Sequence, residues 1–494
     1  LKLKVKKNFV GDVTSLASGT AFAQGLGIVV LPLITRLYAP EDLGLSLIFI
    51  SLITIVGAVA CLRYEQAIVL PASDEEAVNL FATSILIAVF VTITLTTFLS
   101  LFNQPFLKGL NAEGLRPYLW LFGPAVFVGA ALHALNYWNS RTRQFSRLAI
   151  SRMISALVLV TVQISAGLLG FNGAGALIIA HFLGLLTTTL LLALQILSKE
   201  GHFFRQNIRL QKILSGMKKY QKFPIYGTWS ELLNLSANQL PTFLLSAFFS
   251  TTVVGYYGLA VRLLRMPITL LGNAISQVFY QRASVVFVQG GLANFVHAIF
   301  HTLFVFGVFP LLLLTIWGAD IFTTLFGANW TEAGVYTQIL SPLSFLMFVG
   351  ISLVSVPNII GRQDSGLVFY GVIFVAQGVS LWVGGMMGNA TLALLYLSVC
   401  SCVVWLFYFH WIFKHVGLSS KLVLTALRSA GILFGGLFFF VLLVEFLSSV
   451  TGWPLLLLCV LLCFVYYAAL ICVDQQIKGY AQPYFYKVKK FVRL

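Results

Sequence analysis

The sequence predicts an all-α polytopic membrane protein of about fourteen transmembrane helices, arranged as two six-helix lobes plus a C-terminal helix pair. Three observations predict it. Of 494 residues, 59% are hydrophobic and 9% charged, with 43 Phe and a mean hydropathy of +0.93, whereas soluble chains are about a quarter charged. Apolar windows long enough to cross about 30 Å of hydrocarbon recur along the whole length. Lys and Arg are distributed with a strong sidedness between those windows. A formal net charge of +16 on so apolar a chain is to be read against a membrane, because nucleic-acid readers carry such charge on polar, exposed surfaces.

The first six helices are expected near residues 13–35, 43–62, 80–102, 118–138, 150–169 and 174–197, and form an N-lobe, residues 1–197. Four lysines among the first seven residues precede helix 1, which can then serve as its own targeting signal. A basic connection, residues 198–225, holds seven Lys/Arg and one acid and reads as a cytoplasmic linker. The C-lobe, residues 226–412, carries helices near 226–249, 253–277, 296–317, 335–357, 367–386 and 391–412. Residues 413–473 supply the extra pair, near 430–447 and 453–473. A basic cytoplasmic tail, residues 474–494, follows.

This count puts both termini on one side. Connections on that side hold 26 of the 31 Lys and Arg, the opposite side holds Arg36, Lys108 and Arg116, and Arg262 and Arg265 fall inside helix 8. By the positive-inside bias both ends are cytoplasmic. A repeat is also visible between the lobes. Pro32 is followed twelve residues later by Gly44, and Pro241 fourteen later by Gly255, each glycine opening the next helix. Repeated helical sets of this kind are common in transporters.

Several chemistries are excluded or weakened. No GxxxxGK[ST] stretch is present, so the chain does not hydrolyse ATP by that device. No external connection exceeds roughly fifteen residues, which leaves little room for an extracytoplasmic catalytic domain. The seven histidines show no metal spacing, and His297 and His301 at i, i+4 lack a third ligand, so neither a metal nor another cofactor is expected. Glu41 and Asp42, beside Pro40, read as the acidic first turn of a helix in preference to a catalytic pair. The six cysteines sit in or beside apolar runs and read as small apolar fillers. Two glycosylation sequons, at Asn329 and Asn389, carry no assigned function.

Polar groups inside the apolar windows are more telling. Arg262 and Arg265 lie near the middle of helix 8, where insertion scales charge about 2.5 to 3.5 kcal/mol for each arginine. Three residues apart, they share a face that Asn273 and Gln277 continue, so water or an anion lines that stripe. Otherwise Pro267 breaks the helix and the guanidinium groups snorkel or pair structurally. Helix 7 carries a second stripe, Glu231, Asn234 and Asn238, with Gln239 and Pro241 one step on. Glu231 suits the partner of an intramembrane arginine, a protonatable coupling group, or an interface residue. Helix 1 offers a milder stripe of Asp12, Ser15, Thr20 and Gln24, beside Gly25 and Gly27. Arg63, closing helix 2 and followed by Tyr64 and Glu65, is either a solvated anchor or a guard of the inner mouth whose planar fork meets phosphate oxygens.

PLITRLYAPEDLGLSLIF, Pro32 to Phe49, and LRYEQAIVLPASDEEAVNLF, Leu62 to Phe81, resemble the amino-terminal signature of bacterial polysaccharide-biosynthesis flippases. These are the O-antigen type exporters of the multidrug/oligosaccharidyl-lipid/polysaccharide exporter superfamily. The resemblance implies two six-helix bundles facing each other in a V, a central cationic cavity lined by helices 1, 2, 7 and 8, and an additional helix pair. It implies a polyprenyl-pyrophosphate oligosaccharide as cargo, moved across the inner membrane by alternating access, with no catalysis. Arg63 and Glu65 belong to the matched signature. The acidic connection Asp74, Glu75 and Glu76 departs from a cationic route, and only Arg36 adds positive charge outside.

On this reading Arg262, Arg265, Arg63, Asn234, Asn238, Gln24 and Asn273 hold pyrophosphate and sugar, and Glu231, Glu65 and Arg36 couple or gate. The expected partners are the lipid-linked oligosaccharide, membrane lipids, and the polymerase or glycosyltransferases of the same pathway, with no nucleic acid. Two rivals are a cation-coupled multidrug exporter of the same superfamily, which would prefer buried carboxylates, and an integral-membrane glycosyltransferase or polymerase, which would need a larger external loop.

Overall fold

A computed structural model describes residues 18–418 and 451–473 of the protein. The opening lysines, Asp12 and Ser15 of helix 1, the expected helix at 430–447 and the basic tail lie outside the described residues. So do the side chains of Asn273, Gln277 and Cys472.

Among the described residues every regular element is helical. Ten helices are long and apolar enough to cross a membrane, or eleven when a pair bent by 43°, α1 (Ser18–Val29) and α2 (Leu31–Leu37), counts as one span. The protein is thus a multi-pass membrane protein, and the figure of fourteen is not established. In chain order the next helices are α3 (Pro40–Val59), α4 (Tyr64–Ala67), α5 (Asp74–Leu101), α6 (Asn103–Gly109), α7 (Phe122–Arg141), α8 (Phe145–Leu168), α9 (Ala174–Asn207) and α10 (Leu210–Lys219). Then come α11 (Thr228–Phe248), α12 (Thr251–Leu264), α13 (Met266–Val288), α14 (Leu292–Phe326), α15 (Thr331–Leu353), α16 (Val356–Ile359), α17 (Gln363–Met386), α18 (Ala390–Val416) and α19 (Trp453–Val473). Expected helices 7 and 8 correspond to α11 and to α12 with α13, and neither is among the ten apolar spans. They are the two windows whose polar residues stood out in the sequence.

Expected helix 8 is not continuous. It breaks at Arg265, which joins α12 to α13 with φ −80° and ψ −9°. Pro267, in the first turn of α13, has no N–H to give the carbonyl of Leu263, and a helix start is where that loss is tolerated.

The helices gather into two compact units, Leu1–Gly258 and Leu259–Leu494. This division falls inside α12, because α11 and the start of α12 lie against α3. A Cβ on Gly44 would overlap the Thr251 carbonyl oxygen, and one on Gly255 would overlap that of Pro40. Each glycine is the fifth residue of its helix and faces the first residue of the other. The two glycines of the proline-to-glycine repeat therefore make one reciprocal crossing, at backbone contact that a methyl group would prevent. Ser51 Oγ donates to Gln239 Oε1 at 3.0 Å and ties α3 to α11 further along.

The first unit is knitted at one end by a core of Tyr64, Ile68, Val78, Leu80, Trp138, Leu192 and Phe204. Phe81, Trp138 and Phe204 meet edge to face at 4.7 to 6.0 Å, the geometry aromatic quadrupoles favour. Asp42 Oδ1 accepts from the Ala174 N–H at 2.8 Å, so this acid caps the first turn of α9. Cys61, buried in the same unit, places Sγ 3.4 Å from the Ala130 carbonyl.

In the second unit α14 and α15 approach closely through Gly318 and Gly334; a Cβ on Gly334 would stand 2.5 Å from the Gly318 carbonyl oxygen. Phe369 of α17 stacks on Tyr408 of α18 at 3.9 Å. The described member of the extra pair, α19, leans on α14, with Tyr466 Oη donating to the Val305 carbonyl at 2.6 Å.

Candidate functional site

After α3 the chain turns through Leu62 and Arg63, both in the left-handed region with φ 46° and 61°. An L-residue there costs roughly 1 to 2 kcal/mol, so two in succession need external support. Tyr64 supplies it. Its N–H donates to the Cys61 carbonyl at 3.1 Å, its ring is buried in the core just described, and its Oη donates to the Met217 carbonyl at 3.0 Å. Strained backbone that persists in this way often marks a functional position.

The turn aims the Arg63 guanidinium between two carboxylates. Nη1 stands 3.7 Å from Glu65 Oε1, and Nη2 stands 3.5 Å from Glu231 Oε2. Both separations exceed the 2.7 to 3.2 Å of an N–H···O hydrogen bond, so the cation stands beside both carboxyl groups without being locked to either. The side chains of Arg63, Glu65 and Glu231 are 12%, 0% and 25% exposed. Arg63 Nε and both Glu65 oxygens are buried and make no hydrogen bond with the protein. Burial pushes the Glu65 carboxyl up to about 7. Its backbone hydrogen bond and Arg63 oppose that rise, and Glu231 adds to it. Gly227 lies beside Arg63: a Cβ there would be in ordinary contact, 3.5 Å from the Arg63 Cβ. It ends a single π-helical turn, Phe223–Gly227, that leads into α11; such turns recur at functional sites.

Glu231 stands in the first turn of α11. Asn234 and Asn238 follow on the exposed stripe, where Asn238 Nδ2 donates to the Asn234 carbonyl at 2.9 Å. On α1, Gln24 keeps a buried Oε1 that accepts no hydrogen bond. One turn earlier, Thr20 Oγ1 accepts from Arg152 Nη1 at 2.9 Å. Arg152 stands two turns into α8; the apolar run after it was the available signal that it belongs to the helix, and its contact with Thr20 needed the fold.

The acidic triad is not a stretch of free negative charge. Asp74 takes Arg141 at 2.8 Å, Glu75 takes Lys212, and Glu76 takes Lys219 at 2.5 Å. Ser73 caps the helix these acids open, accepting from the Glu76 N–H at 3.3 Å. Arg36 is exposed in the last turn of α2, where a cation suits the negative end of the helix dipole. Arg262 and Arg265 lie in the second unit with exposed side chains, one in the last turn of α12 and the other at the break. Arg63, Glu65 and Glu231 are thus brought together in the first unit. Among the described residues no three His, Cys, Asp or Glu side chains are close enough to hold a metal ion.

The sequence profile of the family described as "Polysaccharide biosynthesis protein" matches residues 33–335, more than half of the chain. The chain belongs to that family. No curated protein matches this family member in sequence, and its structural likenesses are remote in sequence but long. MurJ, a lipid II flippase in an inward closed conformation, is 11% identical with a TM-score of 0.66, over 92% of this chain and 98% of that one. An inward-facing multidrug resistance MATE transporter of the MOP superfamily is 14% identical with a TM-score of 0.63, over 81% and 94%. A Vibrio cholerae MATE transporter is 15% identical with a TM-score of 0.53, over 84% and 98%. At these identities the likeness concerns the fold: this polysaccharide biosynthesis protein has the fold of MurJ and the MATE transporters.

Proposed function

We propose that the protein is a flippase that carries a polyprenyl-pyrophosphate-linked oligosaccharide across the bacterial inner membrane by alternating access, without catalysing a reaction. One observation carries this reading. Arg63 is a half-buried cation whose two carboxylate neighbours stand at 3.5 and 3.7 Å and form no hydrogen bond with it. A phosphate oxygen can take the place of the more exposed Glu231 against the planar fork. The displaced carboxylate then draws the arginine back once the cargo leaves, which keeps binding moderate enough for release. Arg262 and Arg265 are the candidate phosphate contacts of the second unit, with Asn273 beyond them. Gln24, Asn234 and Asn238 are candidate sugar contacts, since each carries an amide for a hydroxyl, and Glu65, Glu231 and Arg36 are candidate coupling or gating groups.

The lobes on this reading are the six-helix sets 1–197 and 226–412, with 198–225 between them and 413–473 as the added pair. The basic connections and both termini face the cytoplasm by charge bias. The partners are membrane lipids, the lipid-linked sugar, and the glycosyltransferases or polymerase of its pathway. The fold shared with MATE transporters keeps a multidrug exporter as the second reading.

The test is translocation of a fluorescent polyprenyl-pyrophosphate oligosaccharide in proteoliposomes. Arg63→Ala and the pair Arg262→Ala/Arg265→Ala should each abolish it while inserting normally. Undiminished flipping by the Arg63 variant, or efflux of a cationic dye with no movement of the lipid-linked sugar, overturns the proposal.

A further inference from the structure

Residues 201–230 hold six Lys/Arg and no acid, and α10 lies in their midst. One side of α10 is committed. Ile213 and Gly216 are buried, with Gly216 backed by Leu80 of α5, while Lys212 and Lys219 are taken by Glu75 and Glu76. Asn79 fixes the direction of the helix. Its Nδ2 donates to the Asn207 carbonyl and its Oδ1 accepts from the Arg209 N–H, both at 2.9 Å.

The other side is open and mixed in character. Leu210 is 70% exposed and Leu214, one turn on, is 58% exposed. Lys218 continues the same stripe, and Arg205, Arg209 and Lys222 are exposed around it. A helix face meant for water would not carry two bare leucines, and one meant for another protein core would not be ringed by bases alone. Leucines flanked by cations, with no acid in residues 201–230 and with Glu75 and Glu76 spent on Lys212 and Lys219, suit the boundary between acyl chains and anionic headgroups. The level is right too. α10 meets α5 between Glu75 and Leu80, where α5 passes from its charged first turn into its apolar length. The outward-facing apolar residues of α5 begin at Leu86, roughly 10 Å further along the helix.

We propose that α10 is an interfacial helix docked on the anionic lipid of the leaflet on its own side. Leu210 and Leu214 enter the acyl boundary, and Arg205, Arg209 and Lys218 meet lipid phosphates. The Met217 carbonyl that holds Tyr64 lies on the same helix, so docking braces the turn that carries Arg63.

The experiment uses the full-length protein in nanodiscs of phosphatidylcholine, with or without phosphatidylglycerol, and reads amide hydrogen exchange over residues 208–222. Phosphatidylglycerol should slow exchange there roughly tenfold. The variant Leu210→Gln/Leu214→Gln/Arg209→Gln/Lys218→Gln, which leaves the Asn79, Glu75 and Glu76 contacts in place, should lose that dependence. If this variant does not fold, Leu214→Trp in discs with brominated acyl chains gives a second reading, and added fluorescence quenched by bromine supports docking. Equal exchange in the two lipids, protection reproduced in detergent by inorganic phosphate alone, or fluorescence that bromine leaves untouched overturns the proposal.

Discussion

Arg63 Nη2 stands 3.5 Å from Glu231 Oε2, joining the left-handed turn after α3 to the first turn of α11. Glu65, wholly buried, lies on the other side of the same guanidinium at 3.7 Å. One cation between two carboxylates, hydrogen-bonded to neither, is a poor structural rivet. Breaking a buried pair ordinarily costs about 3 to 5 kcal/mol, and good geometry is what makes such a pair worth its desolvation. The loose geometry is the ground for proposing Arg63 as an anion contact.

Glu65 should give the protein a pH-dependent stability of definite sign. Its folded-state value is raised, to about 7 from 4.5, chiefly by burial. The neutral carboxyl therefore favours the fold fully below pH 4.5, and that contribution is lost as pH rises through about 7. Thermal unfolding in detergent at pH 5 and pH 8 should place the wild-type midpoint higher at pH 5. Glu65→Gln should flatten the difference by on the order of 3 kcal/mol. An identical pH profile in the two proteins would show that Glu65 is not held in its neutral form.

At the crossing of α3 and α12, Gly44→Val or Gly255→Val should destabilise severely, because the added carbons would overlap carbonyl oxygens of Thr251 or Pro40. Backbone displacement of this kind costs several times the ~1 kcal/mol typical of a point change. Gly25→Ala, where a Cβ meets nothing within 4 Å, is the matched control. Yield of folded protein after detergent extraction should fall for the first two and hold for the third.

Arg141 and Asp74 should respond unequally although they are partners. Arg141 is 12% exposed and donates to the Ile68 and Pro71 carbonyls as well as to Asp74, while Asp74 is 71% exposed. Arg141→Ala strips three acceptors at once and should cost about 2 to 3 kcal/mol. Asp74→Asn removes only a solvent-screened pair, worth at most about 1 kcal/mol. Denaturation midpoints of the two variants should differ in that order.

Helix positions were legible in the sequence because a lipid-exposed helix must be apolar throughout, so polar punctuation marks its ends. The exposed polar stripe of α11 was legible for the converse reason, and Glu231 could be read as partner to an arginine. Which arginine could not be read. Arg63 reaches Glu231 through a left-handed turn that no residue type announces, since neither Leu62 nor Arg63 favours positive φ. The glycine crossing that draws α11 and the start of α12 onto α3 was legible only as a proline-to-glycine spacing, because which helix each glycine meets is settled by the fold. The acids at 74–76 read as a gap in a cationic route, and their pairing with Arg141, Lys212 and Lys219 needed the folded position of α10. The break at Arg265 was foreshadowed by Pro267.

The most direct measurement of the central claim is equilibrium binding of a short-chain polyprenyl pyrophosphate to the purified protein and to two variants. If Arg63 is shared between Glu231 and the cargo phosphate, Arg63→Ala should weaken binding roughly 10- to 100-fold, as expected for a lost hydrogen bond to a charged group. Glu231→Gln, which removes the competing carboxylate, should tighten it. Wild-type affinity in the Arg63 variant, or weaker binding in the Glu231 variant, would contradict the account.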